Sequence, residues 1–506
     1  MIQASRQTAQ SINVPSPIGG WNARDPLSAM PPTDAITLDN WYPTAADVRV
    51  RSGSSAWATG ISGRVESLLT YASTSTSKMF AVAGGNVYDV TSSGAVGAAV
   101  TTFSNSRIQA ENFTTAAGNY LMCCSGVDNP QHYNGSAWAE PAITGVTGGK
   151  STLVQPCSFK SRLFFVQTDS LSVWYLSVNS IAGAATEFNL GGIFKSGGYI
   201  MAMGTWTLDA GTGVDDHAVF VTSKGEVAVY AGSDPTSSTT WALVGVYRIG
   251  SPVGRNCLVK YAGDLLIICQ DGVFPLSSAL QSTRIDNSQA ITDKIRTAVS
   301  SATGLYKSLF GWQVLPFPKE NALILNVPIS TTVSHQYVMN GITGAWCRFK
   351  GWNASAFAVF LDDLYFGGTD GVWKAWTGTA DSGLDIATDA KQAFMHFGAP
   401  SRKKHFKIVK LYIGTNGSVA PGIALNIDYN DQAVIGTGAA IPTNYAVWGT
   451  SLWGTGIWGG GLQTLKKWQK VAGVGYCASL RVATYTNTNE ARWYSTDYVV
   501  EVGGIL

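Results

Sequence analysis

This chain of 506 residues is poor in charge: Asp, Glu, Lys and Arg make up 13% of it, and the formal net charge is +2. A balance so close to neutral excludes a general basic field that would draw the whole protein onto nucleic acid. Any contact with DNA must therefore be local. Long stretches of mixed Ala, Glu, Lys and Leu are also missing, which argues against a protein built of long helices.

The chain also lacks the spacings that mark metal sites and targeting segments. Its seven cysteines and five histidines show no zinc-ligand pattern, so we expect no metal. The cysteines are odd in number and mostly lie in apolar runs, which predicts buried free thiols. The first residues have no apolar core of signal-peptide length, and no stretch reaches the roughly 18 apolar residues of a membrane span. We therefore expect synthesis and folding in a reducing cytoplasm.

Glycine and aromatic residues are abundant. The chain has 56 Gly against 18 Pro, and aromatics make up 11% of it. Strands favour aromatic and β-branched side chains, and many short strands need many turns. Both features predict an all-β protein.

One hairpin-like unit recurs along the chain. Residues 361–376 (LDDLYFGGTDGVWKAW) join two apolar runs through a Thr-Asp-Gly corner, and residues 261–276 and 217–230 repeat the pattern. Residues 309–349 contain four strand-like runs, the number in one propeller blade. A unit repeated at intervals of roughly 40–60 residues indicates a repeat architecture. We predict a β-propeller of about six or seven blades, within the usual range of about four to eight.

The composition divides the chain into three parts. Residues 1–60 form an irregular arm, residues 61–380 the propeller with a short helical insertion near 288–301, and residues 381–506 a second, β-sandwich-like domain. We expect residues 361–376 to close the propeller by pairing with residues 48–57. The arm carries Trp21, Trp41 and Tyr42, and aromatics at this density predict a segment packed at a subunit interface rather than a disordered leader.

Basic residues cluster at two places in the last domain. These candidates are Arg402, Lys403, Lys404, Lys407 and Lys410, followed by Lys466 and Lys467. A solvated face or a subunit contact is one interpretation. Phosphate contact in a DNA channel is the other, and it predicts binding that weakens steeply with salt and has no base preference.

Three tryptophans, Trp448, Trp453 and Trp458, lie at five-residue spacing in a Gly-rich loop. Tryptophan is enriched at the buried centre of interfaces, so packing against another subunit is the first interpretation. Packing within the domain and stacking against a sugar are the alternatives.

Carboxylate pairs do not predict catalysis. Asp215-Asp216 and Asp362-Asp363 are adjacent in sequence, and adjacent residues on a strand point to opposite faces and cannot flank one bond. No phosphate-binding loop with a following helix is present. We therefore expect a protein without catalytic residues, cofactor or metal.

Residues 230–276 (YAGSDPTSSTTWALVGVYRIGSPVGRNCLVKYAGDLLIICQDGVFPL), with the earlier segment GGWNARDPLSAMPPTDAITLDNWYP, resemble the tail nozzle or tail-hub proteins of short-tailed bacteriophages and related prophages. The resemblance runs from about residue 18 to residue 376 and includes no catalytic signature. The last domain resembles these proteins more weakly, through its WGT and WG segments and the basic entry to its first strand.

The resemblance implies a virion structural protein of the tail, made and assembled in the host bacterial cytoplasm. It implies a ring of copies, usually six, below the adaptor on the portal, which extends the DNA channel and holds it shut until ejection. The implied partners are further copies of the chain, the adaptor or head–tail connector, tail needle, fibre or spike proteins, double-stranded DNA in the lumen and, indirectly, the host envelope. A receptor- or glycan-binding tail propeller is the alternative, and a polysaccharide-cleaving propeller is a further one.

Overall fold

The computed structural model describes residues 9–209, 214–237, 239–279, 287–435 and 462–503, and most of these residues lie in β-strands. The all-β prediction is confirmed. The strands before the propeller are β1 (Gln10–Pro15), β2 (Gly20–Trp21), β3 (Asp34–Asp39), β4 (Trp41–Pro43) and β5 (Val48–Val50).

The strands of the propeller region alternate with short turns. They are β6 (Ser54–Ala72), β7 (Ser77–Ala83), β8 (Asn86–Asp89), β9 (Gly94–Ala95), β10 (Thr101–Thr102), β11 (Gln109–Thr115), β12 (Gly118–Cys124), β13 (Gln131–Tyr133), β14 (Trp138–Ala139), β15 (Ile143–Thr144), β16 (Leu153–Phe159), β17 (Arg162–Gln167), β18 (Ser172–Tyr175), β19 (Gly183–Ala184), β20 (Thr186–Asn189), β21 (Ile200–Asp209), β22 (Val214–Thr222), β23 (Glu226–Gly232), β24 (Trp241–Arg248), β25 (Leu258–Tyr261), β26 (Asp264–Cys269), β27 (Gly272–Pro275), β28 (Gln313–Phe317), β29 (Ala322–Pro328), β30 (Ser334–Asn340), β31 (Trp346–Phe349), β32 (Ala356–Phe360) and β33 (Asp363–Ala375).

The last strands are longer. They are β34 (Ile386–Gln392), β35 (Lys404–Thr415), β36 (Gly422–Ile427), β37 (Gln463–Gly475), β38 (Ala478–Thr486) and β39 (Ala491–Val502). Two α-helices, α1 (Leu276–Ala279) and α2 (Arg296–Tyr306), lie between β27 and β28.

Consecutive antiparallel strands form the blades of a β-propeller. Four blades have four strands each: β11–β14, the group β16, β17, β18 and β20, then β21–β24, and β28–β31. The first strand of each blade lies against the first strand of the next, as in the contacts of β11 with β16 and of β16 with β21. This arrangement confirms the propeller and the predicted strand runs of residues 309–349.

Side chains from neighbouring blades complete the hydrogen bonding of the inner strands. The Gln155 amide on β16 donates to the Met203 carbonyl (3.1 Å) and accepts from the Met203 N–H (2.9 Å) on β21. Gln313 on β28 bonds in the same way to Phe357 on β32, at 3.0 and 2.9 Å. Inner edges would otherwise carry unpaired backbone groups. At each of these two places, one amide side chain therefore makes the two backbone hydrogen bonds that a neighbouring strand would make.

Aromatic rings fill the space between blades. Trp241 of β24 stacks on Phe164 of β17 with ring centroids 6.3 Å apart, and it also stacks on Tyr230 at 5.4 Å. Phe164 is fully buried and Trp241 is nearly so. Burial of one such ring contributes about 1.5–3 kcal/mol, and well-placed ring pairs add more.

Strand β6 closes the ring, because it belongs to both the first and the last hairpin. Its first part pairs antiparallel with β33, from Ser54 opposite Ala375 to Arg64 opposite Thr369. Its second part pairs with β7, from Val65 onward. The predicted pairing of residues 361–376 with the N-terminal side is confirmed from Ser54, whereas β5 pairs with β4 and β39 instead. The predicted boundary at residue 60 is wrong, because it falls inside this continuous strand.

The corner of the hairpin in residues 361–376 also differs from the prediction. The chain turns at Leu361-Asp362, whose φ angles are 48° and 63°, as in the two-residue turns that match strand twist. The predicted corner at Asp370 is a bulge within β33, where the register shifts between Thr369 and Gly371. The Asp370 carboxylate accepts the Gly63 N–H at 2.9 Å and so ties this bulge to β6.

The predicted helix at residues 288–301 begins later than expected. Helix α2 spans Arg296–Tyr306, preceded by a 3-10 turn at Asp293–Ile295. The Ile291 N–H donates to the Val273 carbonyl at 2.9 Å, and the Val273 N–H donates to the Thr292 hydroxyl at 3.1 Å. Pairing with β27 thus holds residues 291–292 out of a helix.

The arm is part of two sheets that also contain the C-terminal strands. In one six-stranded sheet the order is β37-β35-β39-β5-β4, and β1 pairs with β39 next to β5, on the edge of β39 that faces away from β35. In the other sheet, β3 lies between β34 and β31, so it joins the C-terminal strands to the β28–β31 blade. Buried residues of both sheets, such as Leu38, Trp493 and Val482, belong to one core. From residue 9 onward the arm is ordered structure, and the disordered-leader alternative is wrong for this part.

An ion pair fixes the junction of arm, blade and C-terminal strands. The Arg51 side chain is fully buried and bonds to the Asp381 carboxylate at 2.5 and 3.0 Å. It also donates to the Asn40 side chain (2.9 Å) and the Lys350 carbonyl (2.7 Å), and it lies 4.8 Å from the Trp352 ring centroid. Each donor direction of the guanidinium therefore has a partner.

We predict that Arg51→Met lowers the free energy of unfolding by about 3–5 kcal/mol, because Asp381 would remain as a partly buried, unpaired charge. Chemical denaturation measures the loss. Lys78→Met is the control, since both members of its pair with Asp89 remain about one-third exposed, and such a pair is worth about 1 kcal/mol or less. Equal effects of the two substitutions would contradict the assigned role of Arg51.

We also predict that removing residues 1–60 opens the propeller, because β33 loses most of its pairing with β6. Hydrogen exchange measures this directly: amides of β32 and β33 should lose protection, while those of β16–β18, on another part of the ring, should lose much less. Unchanged protection of β33 in the shortened chain would show that the first part of β6 is dispensable for closure.

Candidate functional site

The basic residues predicted to contact DNA or another subunit lie on or beside β35 and β37, at one edge of the six-stranded sheet. On β35, Val409 and Leu411 point inward and are buried, while Lys410 and Tyr412 face outward. Strand β37 pairs with β35 on one side and is the last strand of the sheet among the described residues. This edge, with the outward residues of both strands, is the basic sheet edge.

Lys410 lies in a pocket of aromatic and acidic side chains. Its Nζ is 3.0 Å from the Asp497 carboxylate and 4.7 and 4.6 Å from the ring centroids of Tyr412 and Trp468. The Asp497 carboxylate accepts hydrogen bonds from the Tyr412 hydroxyl and from the Asn13 amide of β1, both at 2.7 Å. Tyr412 and then Asp497 raise the pKa of Lys410. The positive charge of Lys410 is therefore bound by aromatic and acidic side chains of the same chain.

Lys407 is also paired. Its Nζ contacts the Glu501 carboxylate on β39, and His405 lies 3.8 Å from the same carboxyl group. The Lys407 hydrogen bond lowers the pKa of Glu501. Two of the three predicted cations on β35, Lys407 and Lys410, are thus paired with carboxylates of β39.

Lys404 was predicted to face DNA or another subunit, and this is wrong. The residue is fully buried, and its Nζ donates to the carbonyls of Ala399 (2.6 Å), Arg402 (2.8 Å) and Tyr476 (2.7 Å). Burial lowers its pKa. The side chain serves as a clamp between the turn before β35 and the turn after β37. Arg402 is exposed in that first turn, and Lys403 lies over the Tyr476 ring at 5.7 Å.

Lys466, Lys467 and Lys470 are exposed on β37; Lys466 and Lys470 lie on the same strand face as Trp468, and Lys467 lies on the opposite face. No carboxylate of the described residues lies within 4 Å of these three ammonium groups. Trp468 between them is 43% exposed, and Val474 is 61% exposed. As far as the described residues go, this edge thus combines unpaired cations with apolar surface, features that favour contact with another molecule.

The three arm aromatics predicted at an interface are instead in the core of the chain. Trp41 and Tyr42 are fully buried and Trp21 nearly so. Trp41 packs edge-on against Trp493 at 6.2 Å, and Trp21 packs against Tyr337 at 5.1 Å. These residues lie far from their partners in sequence, and the long-range strand pairing that brings them together buries them. Trp448, Trp453 and Trp458 lie outside the described residues.

Two of the four carboxylates considered for catalysis, Asp216 and Asp363, have structural partners. Asp216 pairs with Lys160 at 2.9 Å and accepts from Thr207 at 2.8 Å. Asp363 pairs with Lys319 at 2.7 Å and with Lys374. The described residues contain no group of three or more His, Cys, Asp or Glu placed to hold a metal ion. The cysteines are buried and free, as predicted, and burial raises the pKa of Cys257 and Cys269 to about 12.

Tyr412, Trp468, Asp497 and Asn13 contribute to the basic sheet edge but were not predicted. Period-two alternation along residues 404–415 could have put Lys410 and Tyr412 on one face. The other three residues required the register of β37, β39 and β1 against β35, which the sequence does not provide.

No protein-family model matches this chain, and no curated protein matches it. Among solved structures it is similar to BBS1N in complex with ARL6DN (11% identity, 64% of this chain and 96% of that chain, TM-score 0.40). It is also similar to YCF48 bound to D1 peptide (9%, 64% and 94%, TM-score 0.38) and to a streptogramin B lyase (10%, 64% and 93%, TM-score 0.38). At such low identities and TM-scores, these similarities carry no argument about function. In the described part of the chain, no helix has the length and apolar character to cross a membrane.

We predict that Lys404→Met lowers the free energy of unfolding by about 1–3 kcal/mol, because the three carbonyls around its buried side chain lose their donor. Urea denaturation at neutral pH measures the change. Lys466→Met, on an exposed site, should change stability by less than about 0.5 kcal/mol. If Lys404→Met leaves the free energy of unfolding unchanged, water replaces the ammonium group and the three hydrogen bonds of Lys404 do not stabilise the fold.

Proposed function

We propose that this chain is a non-enzymatic structural protein of a short-tailed phage tail, a nozzle or hub subunit that assembles as a ring. In this proposal the ring, usually of six copies, lies below the portal adaptor in the virion, extends and closes the DNA channel, and conducts DNA during ejection. The resemblance of residues 18–376 to that family is the basis of the proposal. Needle, fibre or spike proteins would attach to the same tail.

The observation that carries the assembly part is the basic sheet edge. Its strand β37 has exposed Trp468 and Val474 beside Lys466, Lys467 and Lys470, which lack carboxylate partners among the described residues. A strand edge offers backbone donors and acceptors to another chain, and exposed tryptophan supplies buried area at interfaces. We propose that the neighbouring subunit covers this edge and places acidic groups against the lysines.

We further propose that the propeller has seven blades. The inner strands contact one another in the order β6, β11, β16, β21, β25, β28 and β32, and β32 returns to β6. Three blades fall outside the four complete ones: one is formed by the second part of β6 with β7, β8 and β10, β25–β27 has three strands, and β32–β33 is completed by the first part of β6. We propose that the two C-terminal sheets, with the arm strands in them, form a β-sandwich-like unit.

The state of the carboxylates supports a structural role over hydrolysis. Asp216 and Asp363 are both in ion pairs, which hold a carboxyl group ionised and oriented toward a lysine. A general acid for glycoside cleavage needs a raised pKa and a second carboxylate across the scissile bond. The pKa of each of these two groups is instead lowered.

The test is ring formation by the full-length protein. We expect mass photometry and negative-stain images to show closed rings, alone or after addition of the adaptor. The triple substitution Lys466→Glu, Lys467→Glu and Lys470→Glu should reduce the ring fraction strongly. Lys195→Glu with Lys224→Glu is the control, because both lysines are exposed on the propeller.

A protein that remains monomeric with and without adaptor would contradict the nozzle proposal. If the triple variant forms rings as well as the unchanged chain but loses salt-sensitive binding of double-stranded DNA, the edge contacts phosphate rather than a subunit. If the triple variant keeps both ring formation and DNA binding, the basic sheet edge has no role in assembly.

A further inference from the structure

A cavity of about 360 Å³ lies where the inner strands β11, β16, β25 and β28 begin. The segments before β11, β25 and β28 and the turns after β12 and β17 line it, so several blades contribute to it. We call it the axial cavity. Its volume lies in the range of small-molecule sites, roughly 300–1,000 Å³.

The axial cavity is lined by three cations: Arg107, Arg255 and Lys307. No aspartate or glutamate is among the described residues that line it. Like charges converging on one cavity without acidic side chains in its wall produce a positive potential, and low-dielectric walls focus it. The cavity is thus suited to a negatively charged group.

Arg255 is the most deeply placed of the three. One of its guanidinium nitrogens, Nη1, donates to the Met201 carbonyl at 3.1 Å, and the group lies 5.7 Å from the Tyr199 ring centroid. Burial lowers its pKa, and no described carboxylate lies within 4 Å. Its other N–H groups remain open to an acceptor, and a guanidinium matches the two oxygens of a carboxylate or phosphate.

Lys307 and Arg107 differ in their partners. Lys307 is exposed at the end of α2 and has no described carboxylate within 4 Å. Arg107 lies 4.5 Å above the Phe310 ring and 3.3 Å from the Glu66 carboxylate, so part of its charge is neutralised. Arg255 and Lys307 are therefore the two cations available to a ligand.

Two amide side chains in the axial cavity are also available. Gln109 and Asn256 line it, and their side chains make no hydrogen bond to other described residues. Elsewhere around the axis, the amides of Gln155 and Gln313 are used to join neighbouring blades. Leu309 and Phe310 form an apolar part of the wall. The cavity combines charged, amide and apolar groups as a ligand site does.

We propose that the axial cavity binds a small organic anion through its carboxylate or phosphate group. Arg255 and Lys307 contact the anionic group, Gln109 and Asn256 donate further hydrogen bonds, and the ligand's apolar part lies against Phe310. The site uses no residue of the basic sheet edge and does not depend on the proposed tail function.

Isothermal titration calorimetry of the full-length protein at low salt tests this, with citrate as the polycarboxylate probe and adenosine monophosphate as the phosphate probe. We expect one molecule of at least one probe to bind per chain, with affinity that falls as salt rises. Arg255→Gln and Lys307→Gln should each weaken binding about tenfold or more, as expected for loss of one charge-assisted hydrogen bond. Lys307→Arg should retain binding.

Arg402→Gln is the matched control, since it removes an exposed cation from another part of the chain. Absence of saturable binding by either probe at millimolar concentration would overturn the proposal, as would equal weakening by Arg402→Gln. Should Arg255→Gln fail to fold, Lys307→Gln alone decides, because that side chain is exposed. Binding of a duplex oligonucleotide that depends on Arg255 and Lys307, with neither small probe bound, would replace the small anion by nucleic acid.

Discussion

The pairing of β6 with two hairpins at once is the interaction on which the architecture depends. Strand β6 holds β33 with its first part and β7 with its second. These hairpins lie about 300 residues apart in the chain, so their pairing closes a long loop, whose entropic cost rises only slowly with length. In return, the closed ring leaves few exposed inner edges. Each blade then contacts two neighbours, and the amides of Gln155 and Gln313 supply the bonds that no strand supplies.

The segment just before β6 links this ring to the C-terminal sheets. Strands β1 and β5 pair with β39, and β3 pairs with β34. Arg51 lies between β5 and β6 and binds Asp381, which lies between β33 and β34. The Arg51–Asp381 ion pair therefore joins the two segments through which the chain passes between the propeller and the C-terminal sheets. The stability of the two parts is coupled because the same short segment belongs to both.

The sequence patterns predicted the hairpins that interactions between residues close in sequence determine. The hairpins at residues 217–230 and 261–276 follow from apolar runs around glycine-containing turns, and the structure has strand pairs at both. The corner at residues 361–376 was misplaced because Leu361-Asp362 adopts positive φ without a glycine, under pairing imposed by β6. The helix was placed too early because tertiary hydrogen bonds to β27 outweigh the periodicity of Ile291. Burial of Trp41 and Lys404 depends on strands distant in sequence, so composition gave no sign of it.

The five basic residues of residues 402–410 show why a run of charge is a weak guide to function. The pleat and a bulge after Phe406 send them in different directions, so Lys404 is buried among carbonyls while Lys407 and Lys410 meet carboxylates of β39. Neutralised lysines add little to a long-range field. In the proposed DNA channel, this pairing would help DNA to pass. An unpaired cation that binds a phosphate strengthens DNA binding, and stronger binding would slow a passing duplex. Among the described residues, the unpaired cations of interest are then those on β37, which we propose a neighbouring subunit covers, and Arg255 and Lys307 of the axial cavity.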